Sequence, residues 1–70
     1  MQREYTCITK QGKWKFYADS DTDAMRSALY YCWRDGDTFV RVEYRHGAES
    51  YTLRISHLDH NSHVIGLPLA

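Results

Sequence analysis

Seventy residues, 43% of them hydrophobic and 14% aromatic, make one small packed domain. A chain of this size buries only about 60% of the surface its unfolded form exposes, which leaves no material for a second core. Nine basic and nine acidic side chains give a formal charge of zero, which excludes whole-molecule attraction to nucleic acid or anionic lipid as the main driving force of binding.

Glu4 to Thr9 and Lys13 to Ala18 are two β-rich runs joined by Gln11-Gly12, a short glycine-containing connection of the kind that closes a hairpin. With those two residues as the loop, Thr9 should face Trp14, Cys7 should face Phe16 and Tyr5 should face Ala18 on the core side. Ile8, Lys15, Thr6 and Tyr17 then share the other face.

Ser20, followed three residues later by Asp23, has the form of a capping box, and Gly36 supplies a left-handed stop. The spacing predicts a helix over 21–34. Ala24, Met25, Ala28, Leu29, Tyr31, Cys32 and Trp33 occupy one broad arc of it, with Arg26, Tyr30 and Arg34 in a row on the opposite side.

Val40, Val42 and Tyr44 alternate, as do Tyr51, Leu53 and Ile55, and Gly47-Ala48 lies midway between the two sets. A turn there predicts Val40 opposite Ile55, Val42 opposite Leu53 and Tyr44 opposite Tyr51. The expected fold is therefore an α+β sandwich of two layers, one helix on an antiparallel four-stranded sheet in the chain order ββαββ, with the strand order left open. Residues 1–56 form that domain, and 57–70, including Val64-Ile65-Gly66-Leu67, are expected as an irregular tail packed on it or extending from it.

The outward sheet face gathers Ile8, Lys13, Lys15 and Tyr17 with Phe39, Arg41, Glu43, Arg45, Thr52 and Arg54, a basic surface interleaved with aromatics. Arg41 should stand directly opposite Arg54, a like-charge pair that destabilises the sheet unless something anionic lies across it. Arg26, Tyr30 and Arg34 offer a second candidate contact surface, since arginine beside an aromatic ring is enriched at protein interfaces. Asp19, Asp21, Asp23, Asp35 and Asp37 crowd the two ends of the helix as an acidic counterpart.

Cys7 and Cys32 fall on inward faces and are expected as buried free thiols. His57, His60 and His63 stand three apart in a tail that fixes no geometry, with no cysteine pair beside them, so no metal and no cofactor is expected. There is no Gly-rich phosphate loop, nucleophile elbow or His-Glu-x-x-His, which points to binding without catalysis.

Trp14-Lys15-Phe16-Tyr17-Ala18-Asp19-Ser20, the helix bearing Ala24 and Ala28, and Gly36-Asp37-Thr38-Phe39-Val40-Arg41-Val42-Glu43 together resemble the small anti-CRISPR proteins of phages and mobile elements. The layout is similar to the type I-F inhibitors that run strand, Ala-x-Ser, helix, Gly-Thr and a strand ending in Arg-x-Glu. Ala18, Ser20, Ala24, Gly36, Thr38, Arg41 and Glu43 carry the match, whereas the neutral charge, the His-bearing tail and the extra aromatics depart from it.

The resemblance implies a stoichiometric inhibitor acting in the host bacterial cytoplasm, seated on a CRISPR-Cas surveillance complex or nuclease through either the basic sheet face or the acidic helix ends. A cytoplasmic site also agrees with the lack of any apolar run near the ~20 residues a bilayer crossing needs, and with the strand-like start after Met1-Gln2-Arg3-Glu4. The alternative is a small nucleic-acid-binding regulator, with Tyr17 and Phe39 stacking on bases and Lys13, Lys15, Arg41, Arg45 and Arg54 on phosphates. A monomer or weak homodimer, paired through edge strands, completes the expectations.

Overall fold

The structure, a computed structural model, describes residues 2–55 and the backbone of 67–68. Two hairpins flank one helix: β1 (Arg3–Thr9) and β2 (Gly12–Ala18), α1 (Asp21–Asp35), then β3 (Phe39–His46) and β4 (Glu49–Leu53). The helix packs on a single antiparallel sheet, the two-layer α+β arrangement that the patterning predicts. Strand order is β2-β1-β3-β4-β5, so the two hairpins join through β1 and β3 in the middle of the sheet. The fifth strand, β5 (Leu67–Pro68), falls in a stretch expected to be irregular, and pairs with β4 at Tyr51 and Thr52. His57, His60 and His63 lie outside the described residues.

The first hairpin closes one residue earlier than expected. Lys10 and Gln11 make the turn, Gly12 opens β2 opposite Thr9, and Cys7 faces Trp14 while Tyr5 faces Phe16 and Arg3 faces Ala18. Thr9 is the cause: its Oγ1 accepts the Gln11 N–H at 3.2 Å and donates to the Gly12 carbonyl at 3.2 Å. Gly12 takes φ +152°, a conformation that side chains rarely adopt. Because the ladder moves by two residues, each side chain keeps its expected face.

Local signals fix the helix at both ends. Ser20 Oγ accepts the Asp23 N–H at 3.1 Å, and Gly36, at φ +69°, turns its N–H back to the carbonyl of Trp33. Its buried stripe of Ala24, Met25, Ala28 and Cys32 is narrower than expected. At ~100° per residue, Trp33 lies well round the helix from that stripe, and it is 78% exposed instead of inward.

The second hairpin has the predicted register at Val42–Leu53 and Tyr44–Tyr51, with Gly47 at φ +62° in the turn. β4 ends at Leu53, however, so neither Val40–Ile55 nor Arg41–Arg54 forms a ladder pair. Instead β3 pairs with β1 there, Ile8 facing Arg41 and Thr9 facing Phe39, and Val40 is the extra residue of a bulge between them. The bulge reverses the alternation. Phe39, expected on the outer face, packs against the core, whereas Val40 and Ile55 are exposed.

Tyr5, Cys7, Met25, Val42 and Leu53 are the largest fully buried side chains and join Ala24 and Ala28 in one cluster. Asp21 ties the layers together at the start of the helix, accepting the Tyr5 hydroxyl at 2.8 Å and the Tyr44 hydroxyl at 3.3 Å, with Arg3 at 3.6 Å.

This core should make the fold alkali-sensitive. Burial pushes the Cys7 thiol up to about 12, with Cys32 beside it adding to the rise, and burial likewise raises Cys32, Tyr5 and Tyr44. These groups keep their protons in the fold, while in the unfolded chain thiols begin to lose them near pH ~8.5 and phenols near ~10. Their contribution is therefore complete below about pH 8.5 and falls as pH rises towards the folded values. Urea midpoints should hold steady from pH 6 to about 8 and fall progressively above about 9, with a shallower fall in Cys7→Ala. A midpoint unchanged at pH 10.5 would contradict this assignment.

Candidate partner-binding surfaces

Two surfaces on opposite sides of the sheet carry the exposed chemistry. On the outer face, Lys10, Lys13, Lys15 and Arg41 line a shallow basin of about 850 Å³ together with Thr6, Ile8 and Glu43. A second hollow of about 390 Å³ continues it through Thr6, Lys15 and Glu43 to Arg45, Ser50 and Arg3. Thr52, also expected on this face, is only 4% exposed, so the open part of the face lies over β2, β1 and β3.

Much of the positive charge on that face is already answered. Arg41 donates from Nε to Glu43 Oε2 at 2.7 Å, so the cation expected to repel Arg54 is neutralised within its own strand. Lys15 approaches Glu4 at 3.9 Å, and Tyr17, though 62% exposed, reaches Glu4 through its hydroxyl at 3.4 Å. Lys13 and Arg45 are exposed on the same face, and Arg54 is exposed just beyond β4. With Phe39 turned into the core, Tyr17 is left as the one of the two expected base-stacking rings on this side.

The aspartates stay divided between the helix ends, which 15 residues place roughly 22 Å apart. At the first end Asp21 is the half-buried acceptor of two tyrosines, with Asp19 and Asp23 exposed beside it. At the other end Asp35 pairs with Arg34 at 3.2 Å, and Asp37 accepts the Thr38 N–H at 2.7 Å. Asp21 and Asp37 thus hold the chain in place.

The helix side carries what the sequence reading missed. Five rings follow one another from β2 across the exposed side of α1. Phe16 and Trp14 are 4.9 Å apart between centroids, Trp14 and Tyr31 5.8 Å, Tyr31 and Tyr30 5.4 Å, and Tyr30 and Trp33 6.3 Å. The guanidinium of Arg34 lies 4.7 Å above the Tyr31 ring. Trp33, Tyr30 and Tyr31 are 78%, 55% and 39% exposed, and a hollow of about 350 Å³ opens between Trp14, Phe16, Tyr31, Arg34 and Asp35.

Of the expected helix row, Tyr30 and Arg34 belong to this band, and Arg26 is exposed on the same helix. Tyr31 and Trp33 stand at the two margins of the broad helical arc expected to face the sheet, and both are exposed. The angle separates Trp33, which lies about 130° round from the centre of the stripe filled by Ala24, Met25, Ala28 and Cys32, but not Tyr31, which flanks Ala24 at the stripe's edge.

Among the described residues no group of three His, Cys, Asp or Glu side chains is placed to hold a metal ion, and no helix is long and apolar enough to cross a membrane. Comparison with known proteins gives no significant match of the chain to a family model, a curated protein or a solved structure.

Proposed function

We propose that the protein is a stoichiometric, non-catalytic binder of a bacterial protein complex, acting in the host cytoplasm as the anti-CRISPR proteins that its layout resembles do. The observation that carries this reading is the run of exposed rings Tyr31, Tyr30 and Trp33, continued by the half-buried Trp14, with Arg34 above Tyr31. Tryptophan, tyrosine and arginine are the residues that dominate binding energy at protein interfaces, and here ring-to-ring packing holds them ready at little ordering cost. An inhibitor of this kind works by occupying a surface that target DNA or a nuclease subunit needs, which requires no chemistry of its own.

The nucleic-acid alternative has less support. Strand-binding modules combine an electropositive groove with several stacking rings, and the outer face offers Tyr17 beside cations partly neutralised by Glu4 and Glu43.

Expression in bacteria that carry an active type I CRISPR system should restore plaque formation by a targeted phage. Failure to protect phage from any type I or type II system, together with retardation of DNA or RNA in gels and a steep salt dependence, would contradict the proposal and favour the nucleic-acid reading.

A further inference from the structure

The β2 edge of the sheet points to a particular kind of partner segment. Among the described residues β2 is the terminal strand on its side, so alternate N–H and C=O groups along Gly12–Ala18 are directed away from β1. The two faces of this edge differ sharply in chemistry. Lys13, Lys15 and Tyr17 are exposed on the outer side, while Trp14 and Phe16 are half-buried on the inner side, beside the hollow they share with Tyr31 and Arg34.

We infer that this edge accepts an extended segment of the partner as an added strand, whose residues alternate acidic and apolar. In such a strand, side chains alternate between the faces. Every second residue then stands beside Lys13 and Lys15 and is carboxylate-bearing, whereas the residues between enter the hollow against Trp14, Phe16 and Tyr31. Main-chain hydrogen bonds supply affinity, and the lysines and the aromatic hollow select the sequence. A second copy of this chain fits the edge poorly, because two β2 strands side by side crowd Lys13 and Lys15 of each copy onto one face. The Glu4 carboxylate near Lys15, Glu43 in the same basin, where it is paired with Arg41, and Asp35 in the wall of the hollow are acidic groups that face the site, and Arg34 is paired with Asp35.

This inference rests on the protein-binding reading and is tested apart from it. The probe is a fluorescent nonapeptide alternating Glu and Val around one central Phe, with Lys-for-Glu and alternately N-methylated versions as controls. Fluorescence anisotropy should show saturable binding of the acidic peptide, at least about tenfold tighter than the lysine version, and loss of binding on N-methylation. Lys13→Glu with Lys15→Glu should invert the preference.

Equal binding of the two peptides, or binding that survives N-methylation, would overturn the assignment. So would a doubled mass in light scattering that the probe does not reduce, which gives the edge to a second copy. An effector complex retained by the wild-type protein and not competed by the probe sinks the edge assignment alone. Probe binding with no complex retained sinks the partner reading alone.

Discussion

Replacing Leu53 by alanine is expected to remove about 2–5 kcal/mol of stability, measured by urea unfolding of the purified protein. Leu53 is completely buried, lies opposite the equally buried Val42, and belongs to the cluster that joins the second hairpin to α1. Truncation leaves a cavity walled by residues that the sheet holds in place and that cannot collapse into it. A domain of this length has a total stability of roughly 4–10 kcal/mol, so the variant should be partly unfolded near 37 °C. Ile55→Ala is the matched control. Ile55 is 56% exposed and lies beyond the last ladder pair of β4, so its truncation should change stability by less than about 0.5 kcal/mol. Equal losses at 53 and 55 would mean that β4 runs on and that Ile55 faces inward.

Trp33→Ala combined with Tyr30→Ala should have the opposite profile. Both side chains are more than half exposed, and they meet each other and Tyr31, not the buried cluster. Loss of the two rings should shift the urea midpoint little, by about 0.5 kcal/mol or less for an exposed substitution away from caps and cavities. Affinity for the partner should fall by about 2 kcal/mol or more, some thirtyfold, since tryptophan and tyrosine anchors lie at that level in interfaces. Isothermal titration beside circular dichroism separates the two quantities. If the double variant unfolds, the rings are structural. If it binds normally, the contact lies elsewhere, and the basic basin at Lys13, Lys15 and Arg45 is the next surface to vary.

Periodicity carried most of this fold. Alternation at Val42, Tyr44, Tyr51 and Leu53 gave the register of the second hairpin because its turn is symmetric about Gly47-Ala48 and both faces of the strands differ in polarity. Ser20 and Gly36 marked the helix because each satisfies a specific orphan group. What alternation cannot express is an inserted residue. The Val40 bulge exists because β3 has to meet β1 as well as β4, a contact between residues some thirty positions apart, and it carried Phe39 from the outer face to the core. The Thr9 side chain shifted the first turn by the same kind of specific contact, although the even size of that shift concealed it from any argument about faces.

The candidate surface was less legible. Lys13, Lys15, Tyr17, Arg41 and Arg45 do share the outer face, yet Arg41 is held by Glu43, two residues along its own strand and half-buried with it. Trp33 and Tyr31 were hidden by their hydrophobicity. An aromatic residue at the margin of a helix's buried stripe is ambiguous in sequence, and the ring that makes Tyr31 part of a surface, Trp14, comes from a strand that precedes the helix, while Trp33 meets Tyr30 on the helix itself.

Light scattering with mass detection on the purified protein mixed with purified type I effector complexes tests the central claim most directly. The account predicts a complex of fixed whole-number stoichiometry that forms without added nucleotide or metal, persists at moderate salt, and is lost in the Trp33→Ala, Tyr30→Ala variant. Scattering that remains the sum of separate components for every effector tried, while the wild-type protein turns over a substrate or shifts nucleic acid, would contradict it.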